Sequence, residues 1–440
     1  MIMKYKLPQS RPKTVKSTMA PYFDRTRGNI IPGSHRLQWL LSRILDDKVL
    51  RMPAVLVGGS NGKGTTCAFI ESIIHEHGLV TGLYTSPHLI HPNERIRING
   101  IPISETKLEN YLKIVDRLSK CLLPDASFFE LITATAFVVF YKEKIDFLVC
   151  EVGLGGHFDS TNSISPLLSV ITSISLEHTE FLGDSLFKIA CDKAFISRRN
   201  KHLIIGDIAD EAVQGIKHTA KIIGSSPVFC SNSTLNENLT EIVKYFSTSN
   251  DFVFPKINLP NLITALNSIQ YLFKDLQIEI NIDKVKKGIQ KTFWPGRFDV
   301  RQICGRNVIF DASHNSDGFK YFLNAYNLSS FSSKKFVLIF CSLKDKDWKK
   351  TLLLLPFEKI SAIIFTEVPI LRSEKSSELA KFYKENIGNC ISHDIENFEL
   401  ALETGMNLSF ELPLVITGSI AFIGLVMERF NLNVFEDMSE

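Results

Sequence analysis

The chain has 440 residues, 45% of them apolar and 22% charged, with a formal net charge of +3. That length allows two or three domains around a large core, and the composition is that of soluble globular proteins. So small a charge offers no electrostatic footprint for nucleic acid, and eight cysteines without Cys-x-x-Cys spacing argue against a zinc site or a disulfide framework.

The N-terminus is basic with no long apolar run behind it, so no signal peptide is expected. No uninterrupted apolar stretch reaches spanning length. A reducing cytoplasm is the expected setting, with neither membrane nor nucleic acid as partner. PAVLVGG reads as a buried strand, followed by a helix from about Lys63 to His77 with Phe69, Ile70, Ile73 and Ile74 at helical spacing. TGLYTS is a second short strand, and helical patterns follow at about Glu105–Cys121 and Glu130–Lys144. IDFLVCEVG is a strongly apolar strand ending in a carboxylate and glycines; LLSVITSI is another, with a helix after it at about Ser185–Arg198. Such alternation predicts a mostly parallel sheet covered on both faces.

The more polar stretch from Asp207 to Asn250 reads as surface loops and edge strands. After the turn FWPGRFDV a second alternating series contains NVIFDASHN, KKFVLIFCSL, ISAIIFTEV and PLVITGS, each followed by a helical stretch. The break near Lys291–Arg297 predicts an α/β domain over residues 1–293, a linker over 294–297 and a smaller α/β domain over 298–440.

Chemistry is concentrated at strand ends. VGGSNGKGTT, Val57 to Thr66, departs twice from the common phosphate-binding fingerprint: Val57 stands in place of the leading glycine, and Gly64 delays the hydroxyl of Thr65 by one residue. Backbone N–H groups of Gly59 to Gly64 can still converge on an anion at the start of a helix, with Lys63 against the β- and γ-phosphates. A glycine-rich turn without a ligand is the competing reading. Glu151 ends a buried strand, where open α/β sheets place ligand chemistry; it is equally a candidate Mg²⁺ ligand and a helix cap or lysine partner. His178 and Lys193 alone read as a hydrogen-bonded structural residue and a solvated lysine. Asp311 and His314 follow the strand NVIF, Arg297 sits in the linker turn, and a cleft between domains is a common place for substrates. Thr417–Ser419 reads as a plain helix cap before it reads as an anion nest.

The ordered blocks GSNGKGT (59–65), YTSPHLIHPNERIRING (84–100), FFELITATAF, EVGLGGHFDSTN, HTEFLGDSLFKIACDKA, WPGRFDV, DASHN and ITGS together resemble the dihydrofolate synthase/folylpolyglutamate synthase family of Mur-ligase-like ATP-dependent amide ligases. The resemblance runs from about Val57 to the C-terminus. It implies a P-loop-type, mostly parallel-sheet ATPase domain followed by a smaller Rossmann-like α/β domain. It further implies ATP held by Gly59, Ser60, Asn61, Gly62, Lys63, Gly64, Thr65 and Thr66, with Asn261, Arg297, Asp311 and His314 around the nucleotide and cleft. Ser86, Glu151 and His178 would ligate Mg²⁺, supported by Lys193 as a carbamate; Lys63, Lys193 and His178 would carry the catalysis. Phe129, His157 and Asp159 fall in blocks associated with the pterin-bearing substrate.

The implied reaction adds L-glutamate to dihydropteroate or a reduced folate through an acyl phosphate, in a monomeric enzyme. Where the family usually has Arg, Asp, Gly and His-Gln, this chain has His157, Glu177, Phe195 and Ile257-Asn258. A Mur-type ligase of cell-wall precursors and a non-catalytic nucleotide-binding relative are the alternatives. Gly64 and the SPHL loop speak against the first, and intact Glu151, His178 and Lys193 against the second.

Overall fold

Apolar runs of four to six residues, too short for helices, become the strands of two sheets. The computed structural model describes residues 5–7, 22, 33–45, 47–249, 253–388 and 390–435. Most of the basic N-terminal stretch lies outside these residues. The chain divides into one unit over Val15–Phe293 and a second in which Trp294–Glu440 is joined by the first residues of the chain.

In the first unit the strands are β1 (Ala54–Gly58), β2 (Thr81–Tyr84), β3 (Ile96–Ile98), β4 (Ile101–Pro102), β5 (Phe147–Glu151), β6 (Leu168–Ile171), β7 (His202–Ile205) and β8 (Ser226–Phe229). They form an eight-stranded sheet in the order β4-β3-β2-β5-β1-β6-β7-β8. Pairing is parallel from β2 through β8, and β3 and β4 add antiparallel. Every residue of β1, β2, β5 and β6 is buried, as expected of strands covered on both faces. Register aligns Val57 with Glu151 and Gly58 with Ile171, so the carboxyl ends of β1, β5 and β6 share one edge. That edge is where open α/β sheets place ligands.

The covering helices start from their own signals. Phe128–Lys142 opens on a capping box in which Ser127 and Glu130 satisfy each other's backbone N–H groups. Lys63–Glu76 begins directly after β1, with Gly62 as a left-handed N-cap at φ 81°. Its far end is packed by the helix Ile282–Lys291: a side chain on Gly288 would come within 2.8 Å of the Ile73 Cα, so only glycine allows this approach.

Two expectations fail here. Asp207–Asn250 is largely helical, with helices at Asp210–Ile223 and Glu237–Thr248; only β8, at the sheet edge, fits the expected edge strand. Ala212, Ile216 and Ala220 on one helix, and Leu239, Ile242, Val243 and Phe246 on the other, are buried at a 3.6-residue period that the polar residues between them conceal. Nor do residues 1–293 form one continuous unit. The Tyr5 and Leu7 N–H groups donate to Asn407 Oδ1 (2.6 Å) and Glu403 Oε1 (2.9 Å), side chains of the second unit. An extended segment needs acceptors for its backbone donors, and the helix Phe398–Leu408 supplies them.

The second unit carries β9 (Asp299–Ile303), β10 (Arg306–Asp311), β11 (Phe336–Phe340), β12 (Ile360–Phe365), β13 (Ile391–Asp394) and β14 (Leu414–Thr417), ordered β13-β12-β11-β14-β10-β9. All pairs are parallel except β9 with β10. Among the described residues no helix is long and apolar enough to cross a membrane. All eight cysteines are free, and Cys67 and Cys150 are buried.

Candidate active site

The glycine loop after β1 is pinned to the end of β6. Ser60 N–H donates to Ser173 O (2.8 Å), Asn61 N–H to Ser173 Oγ (2.9 Å), and Thr172 Oγ1 to Asn61 O (2.6 Å). Gly59 sits at φ 136°, and a Cβ there would strike Thr172 Oγ1; a Cβ on Gly62 would strike the Asn261 carboxamide. Both positions therefore require glycine. Asn261, distant in sequence, is thus brought against the loop, and Thr66 Oγ1 faces its Oδ1 at 3.5 Å. Lys63 Nζ folds over the loop and donates to Gly59 O (2.9 Å) and Ser60 O (3.0 Å), while Thr65 and Thr66 open the helix as buried hydroxyls.

Beside the loop lie the strand-end groups. Ser86 N–H donates to Glu151 Oε2 (2.9 Å), so the serine after β2 and the carboxylate ending β5 are neighbours. Lys193 is buried on the helix Leu186–Ala194, and its Nζ donates to Gly59 O (3.1 Å) and Glu177 Oε1 (3.1 Å). Lys63 and Lys193 thus share one carbonyl. Burial drives the Lys193 amine below its ordinary value, Lys63 adds to that, and Glu177 opposes both without overcoming them. Burial pushes Glu177 up, but the two lysines outweigh it and hold its carboxyl at about 2. The two shifts are consistent: one carboxylate answers two cations, so it stays ionised while the more buried lysine remains under-compensated.

His178 follows at φ 48°, exposed, and caps the short helix Thr179–Leu182 with its carbonyl. A left-handed conformation is uncommon outside glycine, although histidine adopts it more readily than most residues. Among the described residues no three His, Cys, Asp or Glu gather as a metal cage. Mg²⁺ takes hard oxygen ligands and is usually held by one or two carboxylates together with substrate phosphates. Glu151 with Ser86 fits that requirement; Lys193 as an ammonium does not.

The third cluster is built on the loop after β5. Asp159 is buried, which raises its carboxyl, and accepts from Leu154 N–H (2.8 Å), Thr161 N–H (2.9 Å) and Thr161 Oγ1 (2.5 Å). Phe129 and Asp159 both lie against Gly153, where any side chain would strike the Phe129 ring. His157 is stacked, with ring centroids 4.1 Å from Phe158 and 4.0 Å from Phe195.

In the second unit the turn after Trp294 is tied to the end of β10. Ala312 N–H donates to Gly296 O (2.8 Å), and Phe298 N–H donates to Asp311 Oδ2 (2.9 Å). Ser313 holds Asp311 Oδ1 through both its N–H (3.0 Å) and its hydroxyl (2.5 Å). Burial raises the Asp311 carboxyl and the charge of Arg297 opposes it; His314 Nδ1 lies 3.0 Å from Ala312 O. The fold therefore brings Arg297 to the buried Asp311 at the end of β10, with His314 three residues further along the chain.

Sequence reasoning missed Glu177 as the Lys193 counter-ion, and the hydroxyls of Thr172 and Ser173 and the backbone of Ser175 as supports of the loop. The loop supports had their signal in TSIS at the end of β6.

Residues 57–269 match the Mur ligase middle domain. The chain is 32% identical to the dihydrofolate synthase/folylpolyglutamate synthase of Bacillus subtilis over 423 residues, 92% of this chain and 96% of the relative. Its fold is similar to that of Mycobacterium tuberculosis folylpolyglutamate synthase complexed with ADP: TM-score 0.81, 23% identity, 94% of this chain and 98% of the other covered. It is likewise similar to the bifunctional folylpolyglutamate synthase/dihydrofolate synthase of Yersinia pestis complexed with AMPPNP and Mn ion: TM-score 0.78, 25% identity, 95% and 99% covered.

Proposed function

Because the chain belongs to the dihydrofolate synthase/folylpolyglutamate synthase family, we propose that it uses ATP to ligate L-glutamate to dihydropteroate and to reduced folates, with the strand-end residues described above as its machinery. It is an ATP-dependent ligase. The observation that carries the residue assignments is the convergence of three groups at one edge of the first sheet. These are the Lys63 loop, the Ser86–Glu151 pair and the buried Lys193–Glu177 pair.

A carboxylate is a poor acyl donor because its leaving group would be oxide. In the first step a substrate carboxylate oxygen attacks the γ-phosphorus of ATP, the bond to the β-phosphate oxygen breaks, and ADP leaves. Such transfer rests on positioning and charge neutralisation. The loop N–H groups from Gly59 to Gly64 and the helix start hold the phosphates, Lys63 neutralises the developing charge, and Thr65, Thr66 and Asn261 line the same loop. Ser86 and Glu151, with His178, would hold Mg²⁺, and the ion would supply Lewis-acid polarisation of the phosphates. In the second step the glutamate amine, having lost its proton, attacks the acyl carbon; the carbon–oxygen bond to phosphate breaks and the amide forms.

Lys193 is proposed as a carbamate. Burial favours its uncharged amine, which CO₂ can modify, and the product replaces a cation beside Glu177 with an anion that requires the metal. Phe129 and Asp159 offer a ring face and a buried carboxylate that suit a pterin, and Arg297, Asp311 and His314 are assigned to the nucleotide side. The enzyme is proposed to act as a cytoplasmic monomer without nucleic acid or membrane partners.

Phosphate release from ATP, measured with L-glutamate and in turn dihydropteroate, tetrahydrofolate and folylmonoglutamate, tests the substrate assignment. Release is expected with each. Release with dihydropteroate alone would remove the reduced-folate half, and none with any pterin would remove the assignment altogether.

A further inference from the structure

His157 and Phe195 lie far apart in sequence, and both differ from the family pattern that the rest of the chain resembles. In the fold they meet face to face, with centroids 4.0 Å apart and planes 13° from parallel. The other face of His157 is covered by Phe158 at 4.1 Å. Asn162 ties the same two residues through their backbones: its Nδ2 donates to His157 O (3.2 Å) and Phe195 O (3.3 Å). Arg198 in turn holds Asn162, donating to its O (3.0 Å) and Oδ1 (2.9 Å). Between these ties, Gly155 and Gly156 lie directly on the helix that carries Lys193. A Cβ on Gly156 would approach Lys193 O to 2.7 Å, and one on Gly155 would approach Asp192 Oδ2 to 2.5 Å.

We propose that His157 and Phe195 act as one positioning unit, a stacked clamp fixing the loop Gly153–Asp159 to the end of the Lys193 helix. A glycine-rich loop has many accessible backbone conformations; the Asp192 carboxylate meets the backbone of Gly156 and His157, and the stacked rings add a side-chain hold. The stack supplies a broad, oriented contact at the point where the loop turns from Lys193 towards Asp159. With both ring faces covered, His157 acts on the substrate through the placement of Asp159 and the wall beside Phe129. This inference rests on the reading of Phe129 and Asp159 as the pterin side.

The test is a double-mutant cycle with His157→Ala, Phe195→Ala and both together, plus His157→Phe, which keeps a stacked ring and removes the imidazole nitrogens. Two quantities are measured: KM and kcat for dihydropteroate, and amide hydrogen exchange of the Gly153–Asp159 segment. Each alanine variant should raise KM about two- to tenfold, the range of one aromatic pair, with kcat and ADP affinity little changed and exchange in the segment faster. The double variant should be no worse than the poorer single one, and His157→Phe should behave as wild type in both measurements. Additive losses, unchanged exchange in the alanine variants, or a His157→Phe as impaired as His157→Ala would overturn the clamp. Wild-type protein inactive with every pterin would instead remove the substrate reading, while hydrogen exchange would still decide for or against the clamp.

Discussion

At the residue scale, the most informative side chain is Lys193. A lysine on a helix is ordinarily solvated, yet this one is buried, shares the Gly59 carbonyl with Lys63 and is ion-paired with Glu177. An ammonium kept so dry is a poor resting state, and the proposed carbamate would put an anion in its place. Lys193→Ala should therefore lose nearly all ligase activity and regain part of it with a small carboxylic acid that fits the vacated space. Full activity without rescue, read by phosphate release, would remove the carbamate role. Lys193 and Glu151 were singled out by the resemblance of their sequence blocks. Glu177 was not, because a counter-ion sixteen positions away is assigned by the fold, and one carboxylate beside a histidine carries no mark of its partner.

At the element scale, the helix carrying the phosphate loop is braced at its far end by His77. Its Nδ1 lies 2.7 Å from Ile73 O, its Nε2 accepts from Asn281 N–H (3.2 Å), and its ring meets Phe273 edge-on at 4.7 Å. Accepting at Nε2 requires the neutral ring with its proton on Nδ1. Burial holds the folded-state pKa below the ordinary 6.5; Lys284 acts in the same direction, and the Ile73 carbonyl and Glu76 oppose it. A folded pKa below the unfolded one means the stabilisation is complete above about 6.5 and is lost as pH falls below it. Thermal unfolding measured across pH 7 to 5 should thus show a decline that His77→Gln flattens; equal slopes in the two proteins would contradict this bracing.

The same scale shows where sequence periodicity worked. Strands such as β1 and β11 are wholly buried and announce themselves as apolar runs. The edge strands β9 and β13 expose much of their length and merge with the loops around them. The helices of Asp207–Asn250 escaped notice because their buried stripes are narrow.

At the scale of the whole molecule, two α/β units each bring chemistry-bearing residues to strand ends. The first gathers the Lys63 loop, Ser86, Glu151, Lys193, Phe129 and Asp159; the second gathers Arg297, Asp311 and His314. The order of motifs along the chain made the two sheets legible, since several of their strands end in a recognisable block. What the sequence could not convey was which blocks touch: Asn261 against Gly62, Phe195 against His157, and Tyr5 against the helix of the second unit. The central claim is that these parts activate a carboxylate by phosphorylating it. Dihydropteroate labelled with heavy oxygen in its carboxylate, turned over with ATP and L-glutamate, tests that most directly by mass spectrometry of the released phosphate. One labelled oxygen should pass into phosphate for each amide formed; phosphate free of label alongside amide product would contradict the acyl-phosphate route.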